Sequence, residues 1–185
     1  MPTPRLFVAL PLPEPVRALL ASLAAPLSNV RWTPPEQLHV TMRFLGETDS
    51  SRIEPLLEHL SRIQVEPFLL PVEGVGAFPP KRPPRVLWAG TGTGHPRLHQ
   101  LRKQIDEALL SANVDFDLRT FHPHITLARC GEDAPAAAHW LHTHRDFEGP
   151  PFRVDAFDLV SSELTPAGAL HHVIERLPIA ASSSA

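Results

Sequence analysis

Two short segments of this 185-residue chain carry residue types that could do chemistry. One reads Phe121-His122-Pro123-His124-Ile125-Thr126-Leu127-Ala128-Arg129, the other Gln37-Leu38-His39-Val40-Thr41-Met42-Arg43-Phe44-Leu45-Gly46. Side chains alternate between the two faces of a strand, so His124 and Thr126 share one face against Ile125 and Leu127. By the same rule His39 and Thr41 oppose Val40, Met42 and Phe44. Two imidazoles, each two residues from a hydroxyl, suit in-line displacement at phosphorus. Histidine titrates near neutrality, so one ring can take a proton while the other gives one. Threonine hydroxyls donate to non-bridging phosphoryl oxygens, as does the planar fork of an arginine. No metal is required if the hydroxyls, imidazolium and arginine supply the charge stabilisation. Arg129 lies on the opposite parity from His124 and reaches the same site only if the strand ends or twists there. Phe44, a candidate for stacking on a base, points by alternation away from His39 and into the core.

The intervening sequence must bring these strands together. Arg5–Leu10 reads as a short buried strand, and Glu14–Leu27 as an amphipathic helix with Val16, Leu19, Leu20, Leu23 and Leu27 inward. Trp32-Thr33-Pro34-Pro35 is a turn into the first His-x-Thr strand. Thr48-Asp49-Ser50-Ser51 offers N-caps for a helix burying Ile53, Leu56, Leu57, Leu60 and Ile63. Pro67–Phe78 then reads as one strand. The order begins again with a strand at Arg85–Gly90 and a helix at His95–Ala112, followed by the second His-x-Thr strand. A helix over Asp133–His142, one long strand over Pro151–Leu164 and a last strand over His171–Leu177 complete the chain. His39 to His124 is an offset of 85, and Pro67-Phe68 to Pro151-Phe152 an offset of 84. The pattern predicts a single domain over residues 1–185, internally duplicated, with halves at roughly 1–80 and 81–180. A pseudo-two-fold would set the two His-x-Thr strands across a central cleft.

A net charge of −3 excludes a broadly basic nucleic-acid surface and leaves room for local basic patches. Cys130 is the one cysteine, so neither an intramolecular disulfide nor a cysteine zinc cluster can form, which fits a reducing cytoplasm. No signal-type h-region and no apolar run of about 20 residues stands in the sequence, so no membrane partner is expected. The 22 prolines gather in turns such as Pro79–Pro84 and read as loop stiffening. Other histidine sets compete as metal ligands: His122 with His124, His95 with His99, and His139, His142 and His144. None has the carboxylate or cysteine partners of a zinc motif. The Gly90–Gly94 loop lacks a P-loop lysine and reads as a turn. Lys81-Arg82 with Arg85 reads as a solvated basic loop.

At these residues the sequence resembles the two-histidine phosphoesterase superfamily, and within it the LigT-like RNA 2′,3′-cyclic phosphodiesterases, first named 2′-5′ RNA ligases. Arg5–Pro11 resembles the family's opening strand, and Arg31-Trp32-Thr33-Pro34-Pro35-Glu36-Gln37-Leu38-His39-Val40-Thr41 through Glu47 its first signature. Pro123–Arg129 resembles the second signature, and Ser161-Ser162-Glu163-Leu164 with Gly168 the closing segment. The resemblance implies an α+β, bilobal fold with two antiparallel sheets flanking the cleft and helices outside. It also implies metal-independent hydrolysis of an RNA terminal 2′,3′-cyclic phosphate to a 2′-phosphomonoester, with no cofactor. His39 would be the proton donor to the departing 3′ oxygen and His124 the proton acceptor from water. Thr41, Thr126 and Arg129 would hold the phosphate. The expected partner is an RNA 3′ end, and the expected state a cytoplasmic monomer. Rival readings at the same site are 2′-5′ ligation of RNA ends, hydrolysis of small cyclic nucleotides or ADP-ribose cyclic phosphate, and a non-catalytic RNA-end binding module. His171 and His172 stand where the family often has an aromatic residue, and His122 takes a variable place.

Overall fold

β1 (Arg5–Pro11) is apolar on both faces and is buried on both. Leu6, Val8 and Leu10 enter the main core, whereas Phe7 and Ala9 join Val160 in a small cluster on the other side. Such a strand belongs in the middle of a sheet. The computed structural model describes residues 3–80, 83–92, 94–166 and 168–179 and places β1 there. The other elements are α1 (Glu14–Ala21), β2 (Val30–Trp32), β3 (His39–Glu47), α2 (Ile53–Leu60), β4 (Phe68–Glu73), β5 (Val75–Phe78) and β6 (Val86–Gly90). They continue with α3 (Pro96–Ser111), β7 (His124–Cys130), α4 (Ala136–His144), β8 (Glu148–Val154), β9 (Ala156–Thr165) and β10 (Gly168–Pro178).

The class is α+β, with two unequal antiparallel sheets. Eight strands run in the order β10-β9-β1-β3-β7-β6-β5, with β2 also on β7, and β4 pairs with β8. β3 and β7 meet at one residue pair, Val40 with Ile125, and diverge beyond it, where β2 takes β3's place beside β7. Helices cover the face that carries Val40, Met42, Leu87 and Ile125. α3 buries Leu98, Leu101, Ile105, Ala108 and Leu109 at helical spacing. The opposite face is left for the His-x-Thr side chains.

Several expected elements differ. The first helix stops at Ala21 rather than Leu27, because Pro26 ahead excludes continued helix; Leu23 and Leu27 still pack on the core from the loop. The Pro67–Phe78 run is two strands broken at Gly74, whose φ of 71° suits a residue without Cβ. The Pro151–Leu164 run likewise divides at Asp155. Each break sends one strand to the small sheet and the next to the large one. β5, from the first half of the chain, adds to β6, while β9, from the second half, adds to β1. Spatial halves therefore do not follow the sequence division at residue 80. Trp32, expected as the first residue of the turn through Pro35, instead ends a short strand, Val30–Trp32. Lys81 and Arg82 lie outside the described residues.

Candidate active site

Both histidines are set the same way. His39 Nδ1 lies 2.6 Å from the carbonyl of Gln37, and His124 Nδ1 lies 2.6 Å from that of His122. A carbonyl only accepts, so each Nδ1 carries the proton and each Nε2 is left for chemistry. His39 Nε2 is 3.1 Å from Thr41 Oγ1, whose hydroxyl donates to the neutral ring.

The neighbouring strand shows how Arg129 reaches the site. β1 pairs Ala9 with Thr41 and then Val8 with Arg43, so Met42 is an extra residue, a bulge. β6 pairs Trp88 with Thr126 and then Leu87 with Ala128, so Leu127 is the extra residue in β7. The bulge falls three residues after the histidine in both strands and reverses the alternation. Arg129 thus returns to the face of His124 and Thr126, with neither a strand end nor a twist needed. Phe44 returns to the face of His39, half exposed and 6.0 Å from the Phe7 ring, which corrects its expected place in the core.

Each bulge leaves a carbonyl that another element satisfies. Arg102 of α3 donates to the Met42 carbonyl, and Asp106 binds Arg43 at 2.7 Å and Arg102 at 3.4 Å. Arg43 is buried by this network and lies over the Phe116 ring. The Leu127 carbonyl instead accepts from the Thr33 amide at 2.8 Å, at the end of β2.

A cavity of about 680 Å³ is lined by His39, Thr41, Thr126, Arg129, Phe44 and His171, and extends toward Arg5, Arg31 and Arg119. His124, two residues from Thr126 on the same face, is not among its lining residues. The surroundings of the two rings differ. His39 is packed between Phe7, 5.0 Å away, and His171, 5.4 Å away. Burial pushes its pKa down to about 4; the Gln37 carbonyl opposes that shift, and His171 and His124 add to it. His124 stands edge-on to Phe78 at 5.1 Å, with Trp88 at 6.3 Å. Burial lowers its pKa as well, opposed by the His122 carbonyl. Both rings are therefore neutral near pH 7 while the cleft holds no anion.

Two of the other histidines serve the fold. His95 Nδ1 accepts from the Arg97 amide at the start of α3, and His144 Nδ1 donates to the Trp140 carbonyl. Among the described residues no group of three or more His, Cys, Asp or Glu side chains is arranged to hold a metal ion. No described helix is long and apolar enough to cross a membrane. Thr91, in the glycine loop, donates to the Pro123 carbonyl and so steadies the approach to His124. Phe7, Arg5, Arg31, Arg119 and Trp88 are the site's neighbours that sequence reasoning left out. Their signal is pairing across strands, which a linear pattern does not carry.

Paired His-x-Thr strands on the open face of this antiparallel sheet have the arrangement expected of a two-histidine phosphoesterase, and the chain belongs to the LigT-like phosphoesterase family. The family's sequence profile matches residues 10–88 and 92–171. An RNA 2′,3′-cyclic phosphodiesterase of Thermus thermophilus is 37% identical over 186 aligned positions, covering 95% of this chain and 90% of its own. One of Aeropyrum pernix is 31% identical over 169, covering 90% and 94%. The crystal structure of TT0787 of Thermus thermophilus superposes with a TM-score of 0.80 at 30% identity, covering 96% of this chain and 99% of that one.

Proposed function

We propose that this protein hydrolyses the 2′,3′-cyclic phosphate at RNA 3′ ends to a 2′-phosphomonoester, as a single-domain cytoplasmic enzyme that works as a monomer and without metal. The observation that carries the reading is the common setting of His39 and His124, each with Nδ1 committed to a backbone carbonyl and Nε2 turned away from it. Membership of the family and the activity named for its relatives support the choice of substrate. His124 Nε2 takes a proton from water as the oxygen attacks phosphorus. The bond from phosphorus to the 3′ oxygen breaks, and His39 Nε2–H protonates that oxygen. Thr41, Thr126 and Arg129 hold the non-bridging oxygens and meet the charge that grows on them.

His39 must be charged to act as the acid. A cyclic phosphate carries a negative charge into the cleft, and an anion beside an imidazole favours its protonated form. Substrate binding therefore draws the proton onto His39. One observation favours a second reading, with the roles exchanged: a ring that burial holds at a pKa of about 4 is neutral and ready to be the base.

The test of the reaction is an oligoribonucleotide ending in a 2′,3′-cyclic phosphate, incubated in EDTA, with 2′- and 3′-phosphate products resolved. Formation of the 2′-phosphate is expected. A 3′-phosphate, or turnover that appears only on adding metal, contradicts the proposal.

A further inference from the structure

Among the described residues every arginine except Arg5, Arg31, Arg52 and Arg129 is ion-paired with a carboxylate. Three of those four line the one cavity that holds His39 and Thr126. The single carboxylate on its wall, Asp117, is bound by Arg119. Arg31 and Arg129 are direct partners on the antiparallel β2–β7 ladder, a position where like charges repel. Arg5 has Glu47 opposite it on the β1–β3 ladder, but Arg31 and Arg129 have only each other, so this wall of the cleft is built for more negative charge than one cyclic phosphate brings.

The three do not converge on one point. Val86, opposite Arg129, is two residues along β6 from Trp88, opposite Thr126, so the Arg31–Arg129 rung lies about 7 Å from the Thr126 rung. A Cβ placed on Gly168 would lie 3.8 Å from the Arg31 guanidinium, so Arg31 reaches across the cleft to the β9–β10 hairpin. Arg5, beside Ser162 of β9, stands on that far wall, about 13 Å along β1 from Ala9, the partner of Thr41.

We propose that Arg31, with Arg5 opposite it, forms a second phosphate subsite that binds a phosphate on the 5′ oxygen of the terminal nucleotide. This rests on the hydrolytic reading and specifies its substrate: a terminal nucleotide carrying a second charged phosphate, as opposed to a nucleoside 2′,3′-cyclic phosphate alone. Two sources share that chemistry, the phosphodiester of a longer strand and the phosphomonoester of a 5′-phosphorylated mononucleotide.

The test compares kcat/KM on 2′,3′-cyclic phosphates that differ only at the 5′ oxygen: free hydroxyl, phosphomonoester, phosphodiester to one further nucleotide, and the same linkage as a neutral methylphosphonate. The charged forms should exceed the free hydroxyl by about tenfold or more, the scale of one charge-assisted hydrogen bond. The methylphosphonate should show no such gain. Arg31→Gln should abolish most of the gain, and Arg5→Gln should reduce it. A gain confined to the phosphomonoester assigns the subsite to mononucleotides, and a gain with the phosphodiester assigns it to strands. Equal rates across the series, or an Arg31→Gln loss equal on all four substrates, overturns the proposal. No turnover of any of them would be a failure of the hydrolytic reading. The subsite is then decided by titrating the matching 2′-phosphate compounds, whose affinities should show the same order in wild type and lose it in Arg31→Gln.

Discussion

In β3 the bulge at Met42 turns Phe44 into the cleft; in β7 the bulge at Leu127 turns in Arg129. One backbone device thus delivers an aromatic ring on one side of the site and a fixed positive charge on the other. The next strands differ in the same way. Thr41 has Ala9 beside it and then Asp158, a buried carboxylate held by Arg176 at 2.7 Å. Thr126 has Trp88 beside it and then Gly76, where a Cβ would meet the indole at 2.1 Å. Small beside large on one side is answered by large beside none on the other. Two histidines in the same rotational setting thereby acquire different partners, which is what a site needs when one ring must give a proton and the other take one.

Changes that break this comparison should differ in size. His39→Ala and His124→Ala should each cost about 10²–10⁴ in kcat, the worth of a positioned acid or base; near-normal turnover in either would sink the mechanism. Arg43→Met removes one of the two guanidinium groups that share Asp106 beside the β3 bulge. It should cost about 3 kcal/mol in denaturant unfolding, at the low end for breaking a buried pair because Arg102 remains.

The depressed pKa of His39 makes a prediction with a definite sign. The unfolded ring binds a proton near pH 6.5 and the folded one only near 4, so the unfolded state holds more protons between them. Stability is therefore lost as pH falls from about 6.5 to about 4, by about 3 kcal/mol for this group. His39→Gln should lack that component in unfolding measured across the same pH range. An anion in the cleft opposes the shift, so inorganic phosphate binding should be accompanied by proton uptake, read by calorimetry in buffers of different ionisation enthalpy.

Arg129→Phe, which gives β7 the residue of β3, should lower kcat/KM by about ten- to a hundred-fold through loss of a charged hydrogen bond. Phe44→Arg should change it far less on a mononucleotide substrate. Gly76→Ala, which forces Trp88 aside, should cost about 1–3 kcal/mol in stability, the usual range for overpacking.

The shared face of His39 with Thr41, and of His124 with Thr126, was legible because the period of two holds across each pair. Immediately after that it fails. A bulge is one residue too many relative to a neighbouring strand, and β1 and β6 lie far away in sequence, so Arg129 and Phe44 fell on the wrong parity. The α+β class came from the family resemblance and the repeat from element order, whereas neither carried the exchange of β5 and β9. The apolar runs continue through Gly74 and Asp155, and only the choice of pairing partner separates the strands. Arg31 stood in the first signature without a role for another reason: three residues of β2 are too few to show a period, and their place beside β7 depends on β3 diverging.

The assignment of unlike roles to the two rings is tested most directly with a cyclic substrate whose 3′ bridging oxygen is sulfur. A thiolate leaves without needing a proton, so the general acid becomes nearly dispensable while the base does not. His39→Ala should recover to within about tenfold of the wild-type rate on this substrate, and His124→Ala should stay down by its full 10²–10⁴. Recovery of His124→Ala instead would exchange the roles, and equal deficits in both variants would contradict a division of labour between the two strands.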